Sequence, residues 1–158
     1  MNKKSEEKKI IEFRHIKRII PLIKDKRTVV TGGCFDIFHY GHLIFLEKAK
    51  RLGNYLIVLL ESDRFIKISK NKDCVHNQNQ RAAIVGALSI VDLVIKLPLF
   101  KSDEDYDRLI KTIRPKIIAV TKGDLKMKKK QLQARQNQAE LKIVTPLLTK
   151  FSSTKITQ

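Results

Sequence analysis

Hydrophobic positions along the chain follow two alternating rhythms. Residues 28–31, 55–60, 93–97, 116–121 and 141–145 are short aliphatic and β-branched runs, each ending at a glycine, a polar cluster or the start of an amphipathic stretch. Between them, apolar residues recur at helical spacing over 42–52, 80–90, 104–113 and 125–140. Strands that lack polar alternation are buried on both faces, and strands separated by helices pair in parallel through crossovers. The pattern therefore predicts an α/β chain with a doubly wound, five-stranded parallel sheet. Upstream, Ile10, Ile11, Phe13, Ile16, Ile19, Ile20 and Ile23 sit at helical spacing interrupted by Pro21. That spacing predicts an extra N-terminal helix packed on the main fold. The expected organisation is a basic tail and accessory helix over residues 1–27, followed by one domain over 28–158.

Composition narrows the class. A chain of 158 residues buries roughly 70% of its unfolded surface, and an apolar content of 42% excludes wholesale disorder. Cys34 and Cys74 are too few for a disulfide framework and lack zinc-ligand spacing, so reduced thiols and no structural metal are expected. No apolar run approaches the ~18 residues of a membrane span. The opening Met-Asn-Lys-Lys-Ser-Glu-Glu-Lys-Lys carries no apolar signal segment either. A cytoplasmic protein without a membrane partner is the expectation.

The net charge of +17 adds a partner question, because such a surface attracts polyanions. Much of the excess lies in residues 2–9 and 126–130, where solvated lysines explain it equally well. An aromatic content of 6% without tryptophan leaves few stacking platforms for single-stranded nucleic acid. Nucleic acid is thus expected only as a non-specific partner, and a basic nucleic-acid-binding module stands as the rival class.

Candidate chemistry concentrates after the first aliphatic run. There Gly32-Gly33-Cys34-Phe35-Asp36-Ile37-Phe38-His39-Tyr40-Gly41-His42 leads into the apolar spacing of Leu43, Leu46 and Ala49. Glycines after a strand let backbone N–H groups approach a phosphate, and the positive end of the following helix adds attraction for anionic oxygens. Two imidazoles at the start of that helix can donate hydrogen bonds to charge developing on phosphorus. His15 and His76 lie in polar surroundings and are expected at the surface.

The motif His39-Tyr40-Gly41-His42 with the preceding Gly33-Cys34-Phe35-Asp36 resembles the HxGH signature of the nucleotidyltransferases. Residues 28–156 look like the small cytidylyltransferase-like enzymes. Gln80-Arg81 and Gly86-Ala87-Leu88 add a likeness to the adenylyltransferase domain of ADP-heptose synthase, with glycerol-3-phosphate cytidylyltransferase and archaeal FAD synthetase close behind. The resemblance implies a Rossmann-like fold and a Mg²⁺-dependent enzyme. A nucleoside triphosphate, ATP first, would meet a phosphorylated small molecule such as a sugar 1-phosphate, and pyrophosphate would leave. CTP with glycerol 3-phosphate, and adenylylation of FMN, are the alternatives it leaves open.

The resemblance also assigns residues. His39, His42, Lys70 and Arg81 would be catalytic, the last two by neutralising substrate phosphates. Gly33, Cys34, Phe35 and Gly41 would shape the phosphate loop. Asp36 would orient that loop or help hold Mg²⁺, and Gly123 with Asp124 would contact ribose and base. Ser152, Ser153 and Thr154 resemble a block that receives the β- and γ-phosphates. Lys67 and Lys70 to Lys72 are expected in a loop. Leucines at 147 and 148, where the cytidylyltransferases carry an arginine, favour ATP. Related small enzymes add a homodimer to the expectations.

Overall fold

The computed structural model describes residues 9–146. Six strands form one parallel sheet: β1 (Ile10–Glu12), β2 (Thr28–Gly33), β3 (Tyr55–Leu60), β4 (Leu93–Lys96), β5 (Ile117–Thr121) and β6 (Glu140–Thr145), in the spatial order β1-β4-β3-β2-β5-β6. Every neighbouring pair is parallel. The helices are α1 (Ile20–Ile23), α2 (Tyr40–Lys50), α3 (Asp63–Lys70), α4 (Gln78–Gly86), α5 (Asp103–Ile113) and α6 (Met127–Gln136).

Successive side chains of a strand point to opposite faces, and the aliphatic runs supply a core on each. Val30, Ile57, Leu59, Ile95 and Ile118 join Leu109, Ile110 and Ile113 of α5 on one face. Val29, Leu56, Val58, Val94 and Ile117 meet Leu46 and Ala49 of α2 and Val85 of α4 on the other. The Rossmann-like doubly wound class is therefore as expected, with one more strand.

That strand replaces the predicted N-terminal helix. Ile10 packs into the α2/α4 layer and Ile11 into the α5 layer, so the adjacent isoleucines serve both faces at once. Only an extended strand can do this. Residues 10–12 pair with β4 and cover what would otherwise be an exposed edge. Helical geometry returns as a 3₁₀ turn over Phe13–Arg18 and the short α1, with Pro21 in its first turn, where a missing N–H costs nothing. Ile16, Ile19 and Ile23 are buried in the main core. Residues 10–23 thus belong to the fold and are not an accessory to it.

The chain crosses from β2 through β3 to β4 in one direction and then resumes at β5 on the opposite side of β2. Ligands in such sheets bind beyond the strand C-termini at this reversal, and the phosphate loop lies there. Among the described residues, no helix is long and apolar enough to cross a membrane.

Candidate active site

The loop after β2 is sterically specified. A Cβ on Gly33 would lie 2.8 Å from the Phe35 ring, so only glycine lets that ring fold beneath the strand end. Phe35 itself takes a left-handed backbone (φ 47°), a conformation that costs a bulky residue energy and persists where packing enforces it. Its buried ring rests 4.9 Å from the His42 ring, between centroids, and stacks with Phe38 at 6.5 Å. The expected phosphate-loop residue Phe35 therefore supports a histidine from behind.

His39 is the extended N-cap of α2, and its carbonyl accepts from the His42 N–H at 2.9 Å. Residues three apart share a helix face, and the two imidazoles stack with centroids 3.7 Å apart and planes 18° off parallel. Both Nδ1 atoms are buried and have no hydrogen-bond partner among the described residues. Burial pushes the pKa of His39 down. It pushes His42 down to about 3, with the charges of His39 and Lys70 adding. Both rings are neutral at pH 7, so each offers one N–H donor. Gly41 is buried between them and lines the same cleft.

Arg81 and Asp36 hold this loop from beneath. Arg81 is 0% exposed, and its guanidinium donates to the carbonyls of Cys34, Glu61 (2.9 Å) and His76 (3.0 Å) and to Asp63 Oδ1 (2.7 Å). With four of its five N–H donors spent inside the protein, Arg81 fixes the Cys34 carbonyl. The phosphate contact expected of it is absent from this arrangement, because the fork faces three backbone segments and not the cleft. Asp36 is equally buried: Oδ1 accepts from the backbone N–H of Val75 (2.8 Å) and of His76 (3.3 Å), and Lys72 Nζ lies 3.6 Å from Oδ2. Of the two roles expected of Asp36, this is the geometry of loop orientation.

The lysine segment differs from the expected loop. Ser62 caps α3 by accepting from the Phe65 N–H at 3.1 Å, and the helix runs to Lys70 before Asn71 turns left-handed (φ 49°). Lys67 pairs with Asp73 at 2.7 Å, away from the histidines. Lys70 is exposed, and its charge reaches both His42 and Cys34. Cys34 lines the cleft, but burial raises its thiol pKa, which leaves it a poor nucleophile.

The crevice has two lobes that meet at Gly32, Gly33, Cys34, Asp124 and Lys130. One, of about 320 Å³, is lined by His39, His42, Gly41, Thr121 and Pro146. Its neighbour, of about 210 Å³, reaches between β3, α5 and α6 to Glu61, Phe65 and Tyr106. Gly123 makes the turn after β5 with φ 82°, and Asp124 accepts from the Lys126 N–H (2.8 Å) just before α6 and pairs with Lys130 (2.7 Å). Ser152, Ser153 and Thr154 lie outside the described residues. Among those described, no group of three or more His, Cys, Asp or Glu side chains could hold a metal ion. Sequence reasoning missed Glu61 and Tyr106. Glu61 carried one signal, a charged residue at the C-terminal end of an aliphatic strand, whereas Tyr106 sits in an ordinary amphipathic helix.

Comparison with known proteins agrees with this geometry. The bifunctional protein HldE of Campylobacter fetus is 40% identical over 113 residues, covering 71% of this chain and 23% of the relative. That of Campylobacter jejuni subsp. doylei is 45% identical over 96 residues, covering 60% and 20%. The chain thus spans about a quarter of the length of the curated relatives it matches. A lipopolysaccharide core biosynthesis protein from Thermoplasma volcanium superposes with a TM-score of 0.62 at 26% identity, covering 76% of this chain and 95% of that one. A family model, cytidylyltransferase-like, matches residues 30–158. With its HxGH histidines stacked at the start of α2, above a glycine loop at the sheet's reversal, the chain belongs to the cytidylyltransferase-like family.

Proposed function

We propose that the chain transfers a nucleotidyl group from a nucleoside triphosphate, ATP by preference, to the phosphate of a sugar 1-phosphate. An acceptor phosphate oxygen attacks the α-phosphorus, the bond from that phosphorus to the bridging oxygen breaks, and pyrophosphate departs with the electron pair. The observation that carries the reading is the stacked, neutral His39–His42 pair lining the lobe at the α2 N-terminus. Such a pair supplies N–H donors to charge gathering on the α-phosphate and bridging oxygen, while the helix end favours anionic oxygens. No side chain acts as a nucleophile or is needed as a base, because the attacking acceptor phosphate is already largely ionised at neutral pH. Catalysis is positioning and electrostatics.

Mg²⁺ would enter with the triphosphate as part of the substrate. A cation of this kind binds chiefly through phosphate oxygens and water with one or two carboxylates. Asp124, which lines both lobes, would be one carboxylate within reach of it. The preference for ATP and a sugar phosphate rests on the likeness to HldE and to a lipopolysaccharide core biosynthesis protein.

The test is pyrophosphate release with ATP and with CTP against a heptose 1-phosphate, glycerol 3-phosphate and FMN. ATP with the heptose phosphate is expected to turn over fastest. His39→Ala and His42→Ala should each lower kcat by about 10²-fold or more, with a smaller change in ATP affinity. Fastest turnover with CTP moves the chain to cytidylyl transfer. Wild-type turnover in both variants removes the histidines from the chemistry.

A further inference from the structure

The first strand runs beside the helix that carries Arg81 and reaches it at both ends. Residues 10–12 lie outside the segment that the family model matches, yet they pair in register with β4. Ile10 packs in the layer of α4, and Glu12, two residues on, shares its side of the strand. At the last residue of α4, a Cβ on Gly86 would lie 3.2 Å from two side-chain carbons of Ile10, so the bare glycine lets strand and helix close together.

The other contact runs through Lys96, the last residue of β4 and the register partner of Glu12. Its side chain is 14% exposed; its ammonium lies 2.5 Å from Glu12 Oε1 and donates to Asn79 Oδ1 at 2.6 Å. An ammonium so shielded from water needs an anion beside it, and Glu12 supplies one. Asn79 is in the first turn of α4, next to Gln78, whose amide donates to the carbonyls of Leu60 (3.0 Å) and Leu97 (2.8 Å). Arg81 lies between the two contacts with β1. Its fork fixes the carbonyl of Cys34, the residue before Phe35, and the Phe35 ring backs His42.

We infer that Glu12 and Lys96 are positioning residues for nucleotidyl transfer: their ion pair ties β1 to the first turn of α4 and so holds Arg81, the Cys34–Phe35 loop and His42 in place. The inference rests on the proposed transfer reaction and gives the N-terminal segment a part in it. Neither residue lines the crevice. Without the pair, α4 keeps its capping box and its Gln78 contacts but loses the tie to β1. The displacement passed on to His42 is small in distance and large in rate, since misplacing a reacting group by about 1 Å can cost ~10²-fold.

The experiment compares the full chain with Glu12→Gln, with Lys96→Met, and with the double variant Glu12→Lys, Lys96→Glu, in which the charges change places. Pyrophosphate release from ATP and a heptose 1-phosphate gives kcat and KM at a temperature where circular dichroism shows each protein folded. NMR of the imidazole ring protons reports His39 and His42 directly. Each single variant should lower kcat by about tenfold, leave KM for ATP close to the wild-type value and shift the His42 ring resonances. The double variant should recover most of the loss, because Asn79 can turn its amide to donate to a carboxylate at position 96. Lys96→Met keeps an apolar chain of similar length, so it reports even where Glu12→Gln, with its stranded ammonium, unfolds the chain. A pair that served stability alone would lower the urea midpoint and leave kcat and the imidazole resonances unchanged. That result overturns the inference, as does a double variant no better than the single ones, and both leave nucleotidyl transfer standing. A wild type that releases no pyrophosphate with any acceptor overturns the transfer reading, and the His42 resonances of the single variants then decide separately whether the pair positions the imidazoles.

Discussion

The depressed pKa of His42 makes folding stability depend on pH in a way the structure quantifies. Burial brings it from 6.5 down to about 3, so the folded chain holds the imidazole neutral where the unfolded chain protonates it. Stability falls with falling pH wherever the unfolded state binds more protons than the folded one. The contribution is therefore fully present above pH 6.5 and is lost progressively as pH falls toward about 3. Between pH 7 and pH 5 this linkage removes about 2 kcal/mol. The perturbation is His42→Gln, which keeps a polar amide of similar reach that does not titrate. Urea unfolding at pH 7, 6 and 5 would give the stability of each protein. Wild type should lose about 2 kcal/mol more than the variant over that interval. The shift of His39 is caused by burial and not by His42, so its contribution largely cancels in the comparison. Parallel stability profiles would refute the reasoning, since they would mean that His42 takes up a proton as readily in the folded chain as in the unfolded one.

Two further outcomes follow from the same structure. Replacing the fully buried Arg81 by Met strands the carbonyls of Cys34, Glu61 and His76 together with Asp63, and should cost about 3–5 kcal/mol in urea unfolding; a loss under about 1 kcal/mol would show that the loop does not depend on it. The basic surface should bind RNA with a steep salt dependence, losing ~10³-fold or more between low and moderate ionic strength, while ATP binding in the cleft persists at a salt concentration that abolishes RNA binding. Sequence-selective RNA binding at that concentration, with no ATP binding, would instead favour a nucleic-acid-binding module.

What the sequence determined by itself was whatever is local or doubly buried. The strands at 28–33, 55–60, 93–96 and 117–121 were readable because parallel strands covered on both faces have no polar positions to blur them. The phosphate loop and the His39–His42 pair were readable because one contiguous segment carries strand end, glycines, helix start and both imidazoles. Four things needed the tertiary structure. Ile10 and Ile11 read as one face of a helix, and only the uncovered edge of β4 makes them a strand. The α3 segment buries only Ile66, with Phe65 half-buried and Ile68 exposed among the lysines, so its own pattern resembled a loop until Ser62 capped it. Arg81 looked like a phosphate ligand because its charge is visible in sequence and its partners are not: the carbonyls of Cys34, Glu61 and His76 converge on it from separate parts of the chain. The Glu61–Tyr106 pair joins residues 45 positions apart, so neither residue's own surroundings announce it. Periodicity and local motifs report a residue's neighbours along the chain, whereas the partner of a buried polar group is set by which strands and helices the fold brings together.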